Sequence, residues 1–358
     1  MFTTYQEMAV DTLRVTIKDI AKAASVSVGT VSKVLNGDKS VKDANRKAVE
    51  TAVESLGYNV NKLARSLAHK PIKIGILLPE TTFGEFFVPM IRGVERIVKS
   101  LADYKVSAVY VSYSKYDDDE TLTERLNSII DQDVDGVVLV PFHYMGLSAN
   151  MLRKLQERRI PTVFVLSDLE NAQKLACVTV DAVLSGRTAA ELASLVVRSG
   201  ETVAVFVGNK NVEEHRQKAD SFVARVNALG YASVGVYETQ EEQDLAYQLT
   251  VSFLRKNPKL RLIYVATCNS VAVCRAVCDS GRDQDVRIIA TDVLSELRPY
   301  VESGLVFGIL DQHMDEQGAT AVSILHQYLS EGTWEEREIK IVPTVLLQSG
   351  ILHLMKQL

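Results

Sequence analysis

Several side chains able to contact nucleic acid lie within one short stretch near the start of the chain, SVSVGTVSKV at residues 25–34. The hydroxyl groups of Thr30 and Ser32 can donate hydrogen bonds to phosphate oxygens. The ammonium of Lys33 can reach a phosphate or the edge of a guanine, and Val28 can contact a thymine methyl group. Small, hydroxylated and cationic residues at this spacing are typical of a helix that lies in the major groove of DNA.

The apolar pattern around this stretch predicts two short helices joined by a tight turn. Apolar residues recur at helical spacing over roughly 17–24 and again over roughly 28–35, with Ser27 at the N-cap position of the second helix. A third helix is predicted over roughly 43–56. The joint at residues 25–27 makes the first two helices a helix-turn-helix. From the helix pattern alone, a generic three-helix bundle with a solvated basic face remains the alternative.

The charge of the chain is distributed unevenly. The whole sequence has a formal net charge of −5. Residues 14–70 contain eleven Lys and Arg but only five Asp and Glu, so this segment is basic and the remainder is acidic. The asymmetry indicates that the basic end meets a polyanion and that the rest of the chain does not.

Length and composition are those of an ordinary globular protein with two or three domains. Hydrophobic residues make up 47% and charged residues 24% of the 358 residues. The longest apolar runs are far shorter than the roughly 20 residues of a membrane-spanning helix, and the first residues lack the pattern of a signal peptide. The four cysteines show no disulfide-framework spacing, which favours reduced thiols and a cytoplasmic location.

From Lys73 onward, short apolar runs alternate with helix-length amphipathic segments. Runs such as IKIGILLP, VDGVVLVP, ETVAVFVG and VRIIATD have the continuous apolar character of strands buried on both faces. Their alternation with helices predicts parallel sheets, and about 285 residues are too many for one sheet, so two α/β lobes are expected. Ligands of such sheets bind at the carboxyl ends of the strands, here in the cleft between the lobes.

The N-terminal helical region, referred to as the head, also resembles a known family. The segments TIKDIAKAASVSVGTVSKVLNG and ANRKAVETAVESLGYNVNKLARSLA are similar to the DNA-binding region of the lactose/galactose repressor (LacI/GalR) family nearly throughout residues 16–68. Ser25 stands where the family commonly has Gly, Lys33 where it has Arg, and Val60 where it has Pro. The resemblance implies DNA contacts by these head residues: Thr16, Ser27, Val28, Gly29, Thr30, Ser32, Lys33 and Asn36.

The segment NKLARSLAHK, which precedes Pro71, resembles the hinge helix of that family. The resemblance implies that Asn61 caps a helix that folds only on DNA. It also implies that Ala64, Arg65 and Leu67 contact the DNA there. Two Leu67 side chains of a homodimer would wedge into the central base step of a near-palindromic operator and kink it. A linker helix with buried leucines is the alternative.

The remainder of the chain, referred to as the body, resembles the effector domain of the same family from about residue 72 to 350. That domain is akin to periplasmic sugar-binding proteins. This resemblance implies three chain crossings between the lobes, near 180, 309 and 342. The expected organisation is an N-terminal extension at residues 1–13, a helix-turn-helix domain at 14–60, a hinge helix with its linker at 61–71, and a two-lobed effector-binding and dimerisation domain at 72–358. In the last domain, lobe 1 is expected at about 72–180 and 310–341, and lobe 2 at about 181–309 and 342–358.

The same resemblance implies these effector-binding candidates: Phe86, Phe87, Arg216, Lys218, Asp292 and Gln312. Core packing is the alternative for the two phenylalanines, and a solvated helix start for Arg216. Lys218 stands where the family commonly has an effector-binding Arg, so one mobile cation replaces a bidentate fork. Ala266 and Thr267 replace a frequent Asn-Asp pair, and Leu166 replaces an Asp, although Asp168 follows closely. A cleft with fewer hydroxyl acceptors is less plainly a site for a free sugar.

No enzyme motif accompanies these residues. The P-loop, Rossmann glycine and HExxH patterns do not occur, and the histidines lack metal-ligand spacing. The sequence therefore predicts no catalytic residue, no metal and no cofactor. It predicts a homodimeric transcription regulator, most simply a repressor, that binds double-stranded operator DNA and responds to a small-molecule effector, a sugar or related metabolite. The alternatives are control by a protein co-effector and a sugar-binding or enzymatic α/β protein.

Overall fold

The computed structural model describes residues 17–35, 38, 40–56, 70–80, 86–114, 117–141, 149–169 and 172–356. The chain divides into two compact units, a helical head within residues 1–71 and a body that comprises residues 72–102 and 106–358. The described part of the head contains the helices α1 (Ile17–Ala23), α2 (Val28–Leu35) and α3 (Asp43–Ser55). The three predicted helices are confirmed, with bounds that differ by at most one residue.

The turn between α1 and α2 contains a residue with left-handed backbone. Ser25 has a φ of 53°, in a region that costs a residue with a side chain about 1 kcal/mol or more. Ser27 then begins α2, because its Oγ accepts a hydrogen bond from the backbone N–H of Thr30 at 3.1 Å and satisfies an otherwise orphan donor. Val31 and Val34 are buried in the apolar core that the three helices share, as helical spacing predicts.

The first lobe of the body contains a six-stranded sheet. Its strands are β1 (Ile72–Pro79), β2 (Val106–Tyr113), β3 (Gly136–Leu139), β4 (Thr162–Val165), β5 (Ala176–Val180) and β11 (Glu338–Ile341). Their order is β11-β5-β4-β3-β1-β2, and each neighbouring pair is parallel. The helices of this lobe are α4 (Val88–Ser100), α5 (Asp119–Ile130), α6 (Ala149–Glu157) and α12 (Met314–Glu331).

The second lobe contains another six-stranded sheet. Its strands are β6 (Thr202–Val207), β7 (Ala232–Glu238), β8 (Leu260–Val265), β9 (Arg287–Thr291), β10 (Val306–Asp311) and β12 (Thr344–Leu347). Their order is β12-β10-β9-β8-β6-β7, and only β12 runs antiparallel to its neighbour. The helices of this lobe are α7 (Ala182–Ala193), α8 (Glu213–Ala228), α9 (Gln243–Lys256), α10 (Ser270–Asp279), α11 (Arg298–Glu302) and α13 (Gln348–Leu354). The prediction of two α/β lobes is thus confirmed.

The chain passes between the two sheets after Val180, after Asp311 and after Ile341. Because β10 continues to Asp311, the second crossing lies slightly beyond the expected position. The third crossing explains the antiparallel strand. Only Val342 and Pro343 separate β11 from β12, with no helix between them. The chain therefore enters the second sheet at the strand ends that face the first lobe, and β12 runs antiparallel to β10.

Close helix packing in both lobes depends on glycine. A Cβ on Gly93 of α4 would lie 1.8 Å from the carbonyl oxygen of Asp315 on α12. A Cβ on Gly186 of α7 would lie 2.1 Å from Ser221 Oγ and 2.2 Å from the carbonyl oxygen of Lys218, both on α8. These distances are far below van der Waals contact, so a larger residue would force the helices apart. Gly186 therefore determines how closely the segment with Lys218 packs on α7.

Candidate functional site

The exposed side of α2 carries side chains for which the sequence predicts DNA contact. Val28 is 46% exposed, and Gly29 and Lys33 are also exposed. Thr30 and Ser32 are half-buried. The helix thus presents an apolar side chain, hydroxyl groups and an ammonium close together. An apolar side chain can contact a thymine methyl group, and hydroxyl and ammonium groups can donate hydrogen bonds to phosphates and base edges. Ser27, at the start of the helix, is exposed as well. The remaining predicted DNA contacts lie outside the described residues: Thr16, Asn36, Asn61, Ala64, Arg65 and Leu67.

Three of the predicted effector residues form one buried network in the body. Lys218 on α8, Asp292 after β9 and Gln312 after β10 are between 3% and 9% exposed. Lys218 Nζ donates a hydrogen bond to Gln312 Oε1 at 2.5 Å. Gln312 Nε2 donates to Asp292 Oδ2 at 2.6 Å, and the backbone N–H of Gln312 donates to Asp292 Oδ1 at 3.2 Å. Gln312 therefore joins a buried cation to a buried carboxylate.

Burial changes the proton affinity of both charged groups. It raises the pKa of Asp292 to about 6, and Asp311 acts in the same direction while Lys218 opposes it. Burial lowers the pKa of the Lys218 ammonium, and nearby carboxylates oppose that shift. Those carboxylates belong to Asp292, Glu214 and Glu241. Buried titratable groups that converge at strand ends in this way are typical of functional sites.

A second buried glutamine connects this network to the first lobe. Gln317, in the first turn of α12, is fully buried. Its Nε2 donates a hydrogen bond to the carbonyl oxygen of Gln312 at 2.9 Å, and its Oε1 accepts one from the backbone N–H of Leu166 at 3.2 Å. Leu166 directly follows β4 of the first sheet. Hydrogen bonds therefore run without a break from Lys218 and Asp292 in the second lobe to a strand end in the first.

Glu214 links the two lobes directly. It lies at the start of α8 and is 3% exposed. Its Oε1 accepts a hydrogen bond from the backbone N–H of Asp168 at 3.2 Å, and the Asp168 carboxylate lies 2.7 Å from Lys174 Nζ. Burial raises the pKa of Glu214 to about 7, although Lys340 and Lys218 oppose the shift. A carboxyl group is thus held out of water at the junction of the lobes.

Glu241, in the loop after β7, supplies a carboxylate beside Thr267. Its Oε2 accepts hydrogen bonds from Thr267 Oγ1 at 2.6 Å and from Cys268 Sγ at 2.7 Å. Its Oε1 lies 3.5 Å from His215 Nε2. His215 Nδ1 accepts a hydrogen bond from the backbone N–H of Asn209 at 3.1 Å. The acidic side chain that the sequence lacks around Thr267 therefore comes from a different loop.

The remaining effector candidates lie outside this network. Phe86 and Phe87 form an edge-to-face pair with ring centroids 5.1 Å apart. Phe87 is buried, whereas Phe86, a first-lobe residue, packs against the apolar core of the second lobe. Arg216 is half-exposed and pairs with Glu213 on its own helix. The structure thus brings together Lys218, Asp292 and Gln312, but not Arg216.

The sequence pattern alone does not indicate several members of this arrangement: Glu214, His215, Glu241 and Gln317. Glu and Gln at helix starts and in loops are usually solvated, so their residue types carry no local signal. Only Glu214 and His215 stand close to a predicted contact, in EEHRQK beside Lys218. In the part of the chain that the structure describes, no group of three or more His, Cys, Asp or Glu side chains could hold a metal ion. Nor is any described helix long and apolar enough to cross a membrane.

Two family models match this chain. Residues 16–61 match bacterial regulatory proteins of the lacI family, and residues 74–333 match the periplasmic binding protein domain. Catabolite control protein A of Priestia megaterium is 27% identical over 340 residues, which cover 92% of this chain and 97% of that protein. The ribose operon repressor of Escherichia coli is 25% identical over 348 residues, which cover 94% of this chain and 99% of that protein.

Solved structures share the fold of the body. A glucose-galactose binding protein from Geobacillus stearothermophilus superimposes with a TM-score of 0.67 at 20% identity, covering 78% of this chain and 99% of that chain. A periplasmic solute binding protein from Actinobacillus succinogenes with bound D-allose has a TM-score of 0.69 at 21% identity, covering 79% of this chain and 100% of that chain. The chain therefore belongs to the lacI family of bacterial regulatory proteins, as a DNA-binding transcription regulator with a periplasmic binding protein domain as its effector domain.

Proposed function

We propose that this regulator represses transcription from a specific operator, and that a small polar metabolite bound between the lobes sets its affinity for that operator. The observation that carries the proposal is the hydrogen-bonded path from Lys218 and Asp292, through Gln312 and Gln317, to Leu166. A ligand that contacts either charged residue competes for the bonds of Gln312. It therefore acts on the connection between the lobes.

The coupling is a linkage between two binding equilibria. The side chain of Gln312 bonds to the second lobe, while its carbonyl oxygen bonds to Gln317 of the first. A ligand that prefers one arrangement of the lobes shifts the population toward that arrangement. The ligand and the DNA then change each other's affinity by the same factor, which typically corresponds to about 1–3 kcal/mol.

The exposed side of α2 is the proposed reading surface. Val28, Thr30 and Lys33 offer apolar, hydroxyl and cationic contacts to base edges and phosphates. We expect a homodimer on a near-palindromic operator, because two identical heads need two half-sites. A relative of nearly the same length is named a ribose operon repressor, which supports the repressor role and a sugar-like effector. Binding to chromosomal DNA implies action in the cytoplasm.

Selection of bound sequences from random double-stranded DNA tests the DNA-binding half of the proposal. The full-length chain should enrich a near-palindromic site, and Lys33→Ala should weaken binding to that site by about tenfold. Glu213→Gln, which alters a half-exposed carboxylate of the body, should bind like the wild type. If no sequence is enriched, the operator-binding role of α2 is contradicted.

Titration of metabolites against the enriched operator tests the effector half. Sugars, sugar phosphates, amino sugars and nucleobases are added to the complex, and we expect at least one to change the operator affinity by about fivefold or more. Asp292→Asn should abolish that change, because the Asn side chain cannot accept both bonds from Gln312. Operator binding that no metabolite changes would instead indicate control by a protein co-effector.

A further inference from the structure

The charges around Lys218 and Glu214 indicate the chemical class of the ligand, an inference that rests on the proposed function. Five described carboxylates belong to the charge cluster that includes these two residues: Asp168, Glu214, Glu241, Asp292 and Asp311. Three ammonium groups accompany them: Lys174, Lys218 and Lys340. With histidines counted as neutral, the group has a formal charge of −2.

One of these carboxylates has an oxygen atom whose hydrogen-bonding capacity is unused. Glu214 is 3% exposed, and its Oε1 accepts from the backbone N–H of Asp168 in the other lobe. Among the residues that the structure describes, none donates to Glu214 Oε2, which is itself shielded from solvent. Because Oε1 bridges the lobes, Oε2 also lies at their junction. A buried carboxylate oxygen without a donor is costly, so this position suits a ligand that brings one.

Each neighbouring cation already makes a hydrogen bond or an ion pair with another group. Lys218 Nζ donates to Gln312 Oε1, and Lys340 Nζ donates to Thr179 Oγ1 at 2.9 Å. The third cation, Lys174, pairs with Asp168 at 2.7 Å. An anionic ligand would add to an excess of negative charge here, and a neutral polyol would leave that excess uncompensated. A ligand ammonium supplies both the missing charge and a charge-assisted hydrogen bond.

We propose that the ligand bound at this lobe junction is a small amine whose ammonium group donates a hydrogen bond to Glu214 Oε2. The remaining polar groups of the network, above all Asp292 and Gln312, then orient the rest of the ligand. Sugar phosphates and carboxylic acids are disfavoured by the same excess of negative charge.

Isothermal titration calorimetry of the full-length chain with matched pairs of ligands tests the proposal. The probes are D-glucosamine against D-glucose and N-acetyl-D-glucosamine, and putrescine against 1,4-butanediol. At least one amine should bind with a Kd about tenfold or more below that of its neutral counterparts. The proposal is overturned if the counterparts bind as tightly as the amines, or if none of the amines binds.

A pair of variants assigns the preference to one oxygen atom. Glu214→Gln keeps an acceptor for the Asp168 N–H but replaces the second oxygen by an N–H₂ donor, so the preference for the amine should vanish. Glu213→Gln removes the adjacent, half-exposed carboxylate, which pairs with Arg216, and should keep the preference. Retention of the full preference in Glu214→Gln would overturn the assignment. Thermal unfolding of both variants establishes that they are folded.

The wild type provides a second measurement that needs no variant. A proton and a ligand ammonium compete for Glu214. Burial raises the pKa of this carboxyl to about 7; Lys340 and Lys218 oppose the upward shift, and Asp168 adds to it. The affinity for putrescine, whose own charge is constant in this range, should fall about tenfold between pH 8 and pH 6. An affinity that does not change with pH would count against the contact.

The outcomes separate this proposal from the proposed function. If a neutral counterpart binds more tightly and changes operator affinity, the proposed function stands and the amine proposal fails. If an amine binds with the expected preference but leaves operator affinity unchanged, the ligand class is supported and the proposed function fails.

Discussion

Gln317 of the first lobe donates a hydrogen bond through Nε2 to the carbonyl oxygen of Gln312 at 2.9 Å. Gln312 lies in the segment through which the chain leaves the second lobe. The other amide atom of the same side chain accepts from the Leu166 N–H. One fully buried glutamine thus holds the end of a first-lobe strand to the residue that binds Lys218 and Asp292. This contact places the lobe junction and the candidate ligand site in one bonded unit.

Replacement of Gln317 by leucine should uncouple the ligand from the DNA. The Gln312 carbonyl loses its amide donor, so we expect the free energy of unfolding to fall by about 1–3 kcal/mol. We also expect the effector-induced change in operator affinity to shrink toward onefold, while the ligand still binds. Chemical denaturation and operator binding with and without ligand measure the two effects.

The control for that experiment is Gln348→Leu. Gln348 Nε2 also donates to a backbone carbonyl, that of Val301, at 2.9 Å, but both residues lie in the second lobe. Because Gln348 is exposed, we expect a smaller loss of stability, about 0.5–1 kcal/mol, with unchanged coupling. Equal loss of coupling in the two variants would show that the link through Gln317 is not special.

The two raised carboxyl pKa values predict an unusual dependence of stability on pH. Glu214 has a pKa of about 7 in the folded chain against an ordinary 4.5, and Asp292 has about 6 against 3.8. Each therefore binds its proton more tightly in the folded chain than in the unfolded one. Between the ordinary and the raised pKa, these groups make the folded state less stable as the pH rises.

Glu214→Gln isolates the first of these groups. At pH 8 the variant should exceed the wild type in free energy of unfolding by about 2–3 kcal/mol, because it avoids an ionised buried carboxyl. At pH 5 the wild-type group is protonated in the folded chain, so most of that difference should disappear. Chemical denaturation at both pH values, with Glu213→Gln as the half-exposed control, measures the effect. A difference of the same size at both pH values would argue against a titrating Glu214.

Gly186→Ala should displace the helix that carries Lys218 and so disturb the candidate ligand site. The new Cβ would lie 2.2 Å from the Lys218 carbonyl oxygen, so α8 must move away from α7. We expect a loss of about 2 kcal/mol or more in stability and a weaker response to ligand. Gly350→Ala is the control, because that helical Cβ would meet only Leu346 at 4.0 Å; it should leave the response intact and stabilise its helix by up to about 1 kcal/mol. A Gly186 variant as stable as this control would contradict the close approach.

Ser25→Gly should stabilise the head. Ser25 has a φ of 53°, which glycine adopts without the steric cost paid by a residue with a Cβ. After the larger entropy loss of glycine is subtracted, a gain of about 0.5–1 kcal/mol is expected. Ser25→Ala, which retains the Cβ, should show no gain. Thermal unfolding followed by circular dichroism compares the variants, and equal stability of the Gly and Ala variants would refute a left-handed Ser25.

The head was the most predictable part of the described chain, because its organisation depends on short-range spacing. The apolar residues of α1 and α2 recur every three or four positions, and Ser27 is a cap by residue type, so the burial of Val31 and Val34 follows from local sequence. The antiparallel course of β12 was less accessible. It results from the absence of a helix after Ile341, which is meaningful only when both sheets are known.

The candidate ligand site shows the same division. Lys218, Asp292 and Gln312 could be proposed because each lies in or beside a recognisable motif. Glu241 and Gln317 could not, since each reaches the site from a loop or helix whose local pattern suggests solvent exposure. Along the sequence, Glu241 is 26 residues from its partner Thr267, and Gln317 is 151 residues from its partner Leu166.

The sequence by itself determined that this chain has a helix-turn-helix head and a two-lobed α/β body, because helix and strand periodicities are local properties of neighbouring residues. Tertiary structure alone decided which charges face one another at the lobe junction. That outcome depends on where the ends of distant strands meet, and on water being excluded there, so that the carboxyl of Glu214 is buried with one oxygen bonded to the opposite lobe and the other left for a partner.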